Sequence, residues 1–76
     1  MSPRITSDQI QEAFIKRLGD GSLSELPYKD LWQQLVEEGW ELRGATPKRQ
    51  RDTVYSALSS DERIEKVRPG VFGLRR

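Results

Sequence analysis

Apolar residues recur near the start of the chain at the spacing of a helix. Four of them share one face of a helix with about 3.6 residues per turn: Ile10, Ala13, Phe14 and Leu18. Thr6 stands before this run and Gln9 follows three residues later, a pattern that favours a capped helix start. Gly19 and Gly21 then favour a turn. These features predict a first helix over 8–18.

A second apolar stripe begins directly after Pro27, a residue that suits the first turn of a helix. Its members again share one helix face: Tyr28, Leu31, Trp32, Leu35 and Val36. Gly39 suits the left-handed backbone position that follows a helix end. We therefore predict a second helix over 28–38, with a very short strand over 23–26 before it.

Thr46 and Pro47 give the clearest helix start in the chain, because a hydroxyl suits the cap and proline suits the first helical position. The third helix should end near 59–60. Trp40 and Leu42 alternate with charged residues in the preceding linker, so we expect both to lie on the core. The buried face of the third helix is predicted to carry Val54, Ala57 and Leu58, with Pro47 on the same side.

The last part of the chain has the pattern of a β-hairpin over 63–75. Ile64 and Val67 precede Pro69-Gly70, a pair suited to a type II turn. The strand after the turn carries the apolar residues Val71, Phe72 and Leu74. Three helices followed by a hairpin predict an α+β fold, a small winged helix-turn-helix with the C-terminal hairpin as its wing. Residues 7–76 would form this domain and residues 1–6 an N-terminal tail.

The composition argues against catalysis. The 76 residues include no cysteine and no histidine, so they supply no thiolate nucleophile, no imidazole base and none of the usual zinc ligands. Glu37, Glu38 and Glu41 cluster near the end of the second helix, where acidic side chains commonly face water, so we predict no metal site. We expect no enzymatic activity, no cofactor and no small-molecule substrate.

No apolar run approaches the roughly 20 residues that span a bilayer, and the first residues lack the apolar stretch of a signal peptide. We therefore expect no membrane partner, and a location in the cytoplasm, including the nucleoid, or in the nucleus.

Charge is divided unevenly along the chain, although the formal net charge is only +1. Residues 1–42 carry four cations and eight anions, a net charge of −4. Residues 43–76 carry nine cations and four anions, a net charge of +5. The second half therefore has the basic character expected of a surface that binds nucleic acid.

Several of these cations lie at the start of the third helix, where the helix dipole disfavours positive charge. With Val54 pointing inward, Lys48 and Arg49 point outward, and Arg51 falls at the margin, its stem on the core and its head in solvent. A phosphate at this helix end would be bound by free backbone N–H groups and by the cations together. This placement predicts a nucleic-acid site with duplex DNA as the partner. The alternative is that the cations only keep the protein soluble.

The candidate nucleic-acid-binding residues span the linker, the third helix and the hairpin: Arg43, Thr46, Lys48, Arg49, Arg51, Asp52, Tyr55, Ser56, Lys66, Arg68 and Gly70. Through the turn at Gly70, the wing would aim Lys66 and Arg68 at a phosphate backbone or a minor groove, with Arg63 adding charge. A Pro-Gly pair is equally typical of an ordinary turn. Asp52 opposes phosphate binding but can accept a hydrogen bond from a cytosine amino group.

Three aromatic residues each allow two interpretations. Tyr55, on the flank of the third helix, would either contact a phosphate or sugar or cover the edge of the core. Trp32 and Trp40 would stack on bases in a single-strand binder, but their position in or beside apolar stripes favours the core.

Short motifs distributed along the chain resemble the HARE-type winged helix-turn-helix family. They are Gly44-Ala-Thr46-Pro47, Thr53-Val54-Tyr55, Ala57-Leu58 and Pro69-Gly70-Val71-Phe72-Gly73-Leu74. This family occurs in chromatin proteins and restriction endonucleases and includes the bacterial RNA polymerase delta subunit. The resemblance implies a DNA-associated role in restriction-modification or transcription regulation, with the third helix in the major groove and modified or foreign DNA as the target.

The chain departs from the family pattern in its run Lys48-Arg49-Gln50-Arg51 and in lacking an attached catalytic domain. We therefore expect either an excised module or a small stand-alone regulator. A second interpretation follows from the delta subunit, where a similar fold serves a polymerase. In that case the acidic half or the linker at Trp40 would dock onto a polymerase, nuclease, chromatin or parent-enzyme partner.

Overall fold

A computed structural model describes residues 4–19 and 23–75, and its elements follow the predicted order. The helices are α1 (Ser7–Gly19), α2 (Tyr28–Glu37) and α3 (Pro47–Ser59). The strands are β1 (Glu25–Pro27), β2 (Ile64–Arg68) and β3 (Val71–Leu74). The α+β class is therefore confirmed, with helix ends within one residue or so of those predicted. The predicted turn after α1 falls largely on residues 20–22, which lie outside the described residues.

The helix starts show which caps the sequence provides. At α1, Gln9 N donates to Thr6 Oγ1 at 3.2 Å while Thr6 N donates to Gln9 Oε1 at 2.9 Å, the reciprocal pair predicted from their spacing. At α2, Pro27 is the N-cap, with extended backbone angles (φ −64°, ψ 140°), and not a residue of the first turn. The prediction for Pro27 is corrected because this residue still pairs with Val71 in the sheet.

The three strands form one antiparallel sheet in the order β1-β3-β2, so the last strand is the central one. Leu26 pairs with Phe72, and both are buried. The short strand therefore covers 25–27 instead of the predicted 23–26, and Leu23 is exposed. The β2–β3 pairing shifts register between Lys66 and Arg68, which leaves Val67 on the outside, 49% exposed.

The segment before α1 belongs to the folded domain. Ile5 is buried, and its N–H donates to the Glu41 carbonyl at 3.0 Å, beside a bridge between Arg4 and Glu41. Thr6 caps α1. The predicted tail over 1–6 is therefore wrong for residues 4–6, because an apolar side chain at residue 5 can be buried against the linker. Residues 1–3 lie outside the described part of the chain.

One hydrophobic core lies between the three helices and the inner face of the sheet. It consists of Ile5, Ile10, Phe14, Leu18, Leu26, Leu31, Leu35, Leu42, Val54, Ala57, Leu58, Ile64 and Phe72. Trp32 and Trp40 are half-buried and pack against it, as the predicted core role requires. Pro47 is exposed at the first position of α3, so its predicted inward placement is wrong.

Within 4–19 and 23–75, no helix has the length and apolar character needed to cross a membrane.

Candidate nucleic-acid interface

Thr46 caps the N-terminus of α3. Thr46 is extended (φ −131°, ψ 159°), and its Oγ1 accepts a hydrogen bond from Arg49 N at 3.3 Å. Gln50 N donates to the Thr46 carbonyl at 3.0 Å, and Pro47 has no N–H to donate. The Lys48 N–H is left without a partner among the described residues. Thr46 is therefore the N-cap, as predicted, and its hydroxyl satisfies one of the backbone donors of this helix end.

The loop that carries Arg43 is fastened to α3. The Thr53 hydroxyl lies 2.9 Å from the carbonyl oxygen of Arg43 and 3.1 Å from that of Arg49. Gln50 Nε2 donates to the Gly44 carbonyl at 3.4 Å. Gly44 has a φ of +132°, and a Cβ there would lie 2.8 Å from Gln50 N, so the loop approaches the helix at a distance that only glycine allows. These contacts fix Arg43 beside the first turns of α3.

An open groove of about 440 Å³ lies between the N-terminus of α1 and the outer face of α3. We call it the α1–α3 groove. Its lining combines two guanidinium groups with hydroxyls and one carboxylate: Ser7, Arg43, Gly44, Arg49, Asp52, Thr53 and Ser56. Four of the predicted site residues therefore meet in this groove, namely Arg43, Arg49, Asp52 and Ser56.

Five of the predicted cations have no carboxylate partner among the described residues, and three of these five lie at or beside the start of α3. Arg43, Lys48 and Arg49 are exposed and form none of the ion pairs among the described residues. The first turn of α3 also contains no acidic residue. Positive charge is thus concentrated at the helix end where the backbone dipole is also positive.

Arg63, in contrast, is held by two carboxylates. Its Nη2 lies 2.7 Å from Asp61 Oδ2 and 3.1 Å from Glu12 Oε1 on α1. The hydrogen bond from the Arg63 side chain lowers the pKa of Asp61, and the bonds to Asp61 and Glu12 raise the pKa of Arg63. Arg63 therefore links the start of β2 to α1, and the expectation that it adds charge to a free basic surface is wrong.

Arg68 also has a partner. Its Nη2 donates to Glu25 Oε2, so the side chain reaches from β2 across β3 to β1. Glu25 therefore offsets part of the charge that Arg68 could offer to a phosphate.

Arg51 lies on the flank of α3 that faces α2. Its guanidinium carbon is 5.3 Å from the centroid of the Trp32 ring, within the range of a cation–π contact. The Trp32 indole N–H donates to Gln50 Oε1 at 3.1 Å. Arg51 is therefore half-buried at the margin of the outer face, with its guanidinium group over an aromatic ring.

Tyr55 covers the edge of the core with its ring and keeps its hydroxyl at the surface. The ring makes edge-to-face contacts with Tyr28 and Phe72, each with centroids 5.2 Å apart. Lys66 Nζ lies 3.4 Å from Tyr55 Oη, which places this lysine on the side of β2 that faces α3. The core-edge interpretation of Tyr55 is confirmed, and contact with a phosphate or sugar stays a prediction.

A second open groove, of about 360 Å³, lies between the hairpin turn and the N-terminus of α2. We call it the hairpin-side groove. Gly70 has a φ of +76°, as the third residue of a type II turn requires, and a Cβ there would lie 3.4 Å from Tyr28 Cε1. Its carbonyl accepts a hydrogen bond from Tyr28 N at 3.1 Å. The groove is lined by Pro27, Tyr28, Lys29, Tyr55, Pro69, Gly70 and Val71.

Seven of the eleven predicted site residues thus fall into two groups on either side of α3. The other four lie elsewhere: Thr46 and Lys48 at the start of α3, Arg51 over Trp32, and Arg68 against Glu25. One group lines the α1–α3 groove, and the other, Tyr55, Lys66 and Gly70, lies at or near the hairpin-side groove. Sequence reasoning missed Ser7, Lys29 and Thr53, because their places depend on how α1 and α2 pack against α3. The motif Gly44-Ala-Thr46-Pro47 is the sequence signal that coincides with the loop bound to α3.

No family model, curated protein or solved structure matches this chain. The resemblance to the HARE-type family therefore stays a prediction.

Proposed function

We propose that this domain binds duplex DNA as a winged helix-turn-helix, with α3 in the major groove and the β2–β3 hairpin along the backbone as its wing. The observation that carries the proposal is the cluster of Arg43, Lys48 and Arg49, which are exposed and form no ion pair within the described residues. Arg63, in contrast, is neutralised by two carboxylates.

The position of this cluster supports a phosphate as the ligand. Cations in the first turn of a helix oppose the macrodipole and cost a few tenths of a kcal/mol each. Lys48 and Arg49 occupy that turn, and Arg43 is held beside it by Thr53. A phosphate there would be bound by these side chains and by the free Lys48 N–H, so the arrangement that is unfavourable in the isolated domain becomes favourable in a complex.

The remaining contacts belong to the hairpin and to the outer face of α3. Lys66 lies beside Tyr55 on the α3 side of the sheet, and Gly70 forms the hairpin turn at the other groove. Both grooves flank α3, so a duplex that receives α3 would pass over the α1–α3 groove and the hairpin. Arg68 would join this interface with the part of its guanidinium group that Glu25 does not bind, or by exchanging Glu25 for a phosphate.

Membership of the HARE-type family is part of the proposal. Thr46-Pro47 begins α3, and Pro69-Gly70 joins β2 to β3, which are the places a winged helix assigns to these motifs. Modified or foreign DNA would then be the class of target.

The test is a binding titration on duplex and single-stranded DNA of the same sequence at several salt concentrations. We expect binding to the duplex, with a log-log slope against salt of magnitude about 3 to 6 if that many phosphates are contacted. Single-stranded DNA should bind more weakly. A flat salt response, or no binding at low salt, would contradict the proposal.

A protein partner is the second candidate function, and one observation favours it. Val36 on α2 is 43% exposed, next to the acidic residue Glu37 at the end of that helix. A polymerase, nuclease or chromatin partner with a basic, partly apolar surface would be complementary to this face. Loss of the DNA signal in the titration above would favour this function.

A further inference from the structure

Asp52 is the one acidic residue on α3, and it lies among the cations of the proposed DNA-binding face. It is exposed in the second turn of the helix and lines the α1–α3 groove together with Arg43 and Arg49. On a helix with about 100° per residue it points almost directly away from buried Val54.

No described cation neutralises this carboxylate. The ion pairs of the described residues all involve other acidic groups, and Asp52 takes part in none of them. Lys48 precedes it by four residues, a spacing at which opposite charges on a helix can pair, yet the two form no ion pair. Asp52 therefore presents free acceptor oxygens at the centre of the outer face of α3.

DNA offers a carboxylate few favourable partners. An ionised carboxylate only accepts hydrogen bonds, and phosphates repel it. In the major groove the hydrogen-bond donors are the N4 amino group of cytosine and the N6 amino group of adenine. Adenine carries the acceptor N7 next to its amino group, and N7 would repel the second carboxylate oxygen. Cytosine carries a C–H group at the corresponding position, so it causes no such repulsion. Cytosine N4 is therefore the best partner.

We propose that Asp52 is a specificity-determining residue that selects a cytosine in the major groove, an inference that rests on the proposed DNA binding. Asp52 accepts a hydrogen bond from cytosine N4 and weakens binding to sites that place only acceptors opposite it. The neighbouring cations supply affinity for any duplex, and Asp52 makes that affinity depend on sequence.

The experiment is a selection of bound duplexes from a library with randomised positions, using the unmodified chain, Asp52→Asn and Asp30→Asn. Asp30→Asn is the matched control, because it makes the same change on an exposed residue of α2. We expect the unmodified chain and the control to enrich cytosine about 10-fold at one position. Asp52→Asn should lose that preference and favour adenine there, since an amide pairs with adenine N6 and N7. Its affinity for random duplex should rise, because one repulsive charge is gone.

A second measurement separates base reading from a merely structural role. In the selected site, the cytosine is replaced by a pyrimidin-2-one nucleoside that lacks the 4-amino group. Binding of the unmodified chain should weaken about 10-fold, and binding of Asp52→Asn should not respond. Equal base preferences for the unmodified chain and Asp52→Asn, or equal responses to the analogue, would overturn the inference while leaving DNA binding intact. Failure of the unmodified chain to bind any duplex would overturn the proposed function, and this inference with it.

Discussion

The indole N–H of Trp32 donates a hydrogen bond to Oε1 of Gln50 at 3.1 Å, and this bond joins α2 to α3. Nε2 of the same amide donates to the Gly44 carbonyl at 3.4 Å. One half-buried side chain thus connects two helices and the loop that holds Arg43. This amide therefore helps to hold the loop of the candidate interface against the two helices.

Gln50→Ala should destabilise the domain by about 1 to 2 kcal/mol, because the half-buried indole N–H of Trp32 would lose its acceptor. Urea denaturation measures the change. The control is Gln33→Ala, because exposed Gln33 bonds, within the described part of the chain, only to Glu37 on its own helix. This substitution should cost about 0.5 kcal/mol or less. Equal losses for the two variants would show that the Trp32–Gln50 bond adds no net stability.

Lys48→Gln and Arg49→Gln should each weaken duplex binding and reduce the magnitude of the salt slope by about 1, if each contacts one phosphate. The free energy of unfolding should stay the same or rise by a few tenths of a kcal/mol, because a cation leaves the positive end of α3.

Lys16→Gln is the control for these variants, since Lys16 is an exposed lysine on α1. Arg17 is unsuitable as a control, because it pairs with Glu38 and donates to Gln34, so that its replacement would alter the packing of α1 on α2. If Lys16→Gln weakened binding as much as Lys48→Gln, binding would follow overall charge and α3 would have no special role.

Glu25→Gln should strengthen duplex binding several-fold if Arg68 contacts a phosphate, because the variant removes the carboxylate that now holds the guanidinium. Glu37→Gln makes the same change of charge on α2, away from Arg68, and serves as the comparison. A gain no larger than that of Glu37→Gln would show that Arg68 serves only to link β2 to β1.

Phe72→Ala should destabilise the domain by about 3 to 5 kcal/mol, since the ring is only 1% exposed and packs against Tyr55 between the sheet and α3. Thermal unfolding measures this. Val67→Ala on the neighbouring strand should change stability by about 0.5 kcal/mol or less, because Val67 is 49% exposed. A small effect of Phe72→Ala would mean that the hairpin is not part of the cooperative core.

The helices could be predicted from the sequence because their signals are local. Thr46-Pro47 fixes the start of α3, and Thr6 with Gln9 fixes the start of α1, through hydrogen bonds that span three residues. The sheet was predicted only in part. The hairpin turn at Pro69-Gly70 is local, but the pairing of β1 with β3 joins distant segments, and a strand of three residues has too few positions to show its register.

The candidate site was predicted as a set of residues and not as an arrangement. The period of α3 identified its outward face, but it gave no information on which neighbour lies along each flank. The linear charge count overstated the basic surface, because Arg68 and Glu25 are 43 positions apart in sequence and still meet. Arg63 and Glu12, 51 positions apart, do the same. Such pairs depend on tertiary packing, which charge patterning along the chain does not encode.

The place of β3 in the sheet also determines the order in which the domain can assemble. The contacts within each helix are local and form early, whereas β1 can pair only after residues 71–74 have been synthesised. Joining β1 to β3 closes a long loop that contains α2 and α3, and burial of Leu26 and Phe72 offsets part of the entropy cost of that closure. Until β3 joins the sheet, Leu26 and Ile64 both lack the strand that pairs with them, and we expect such a partly folded chain to expose apolar surface.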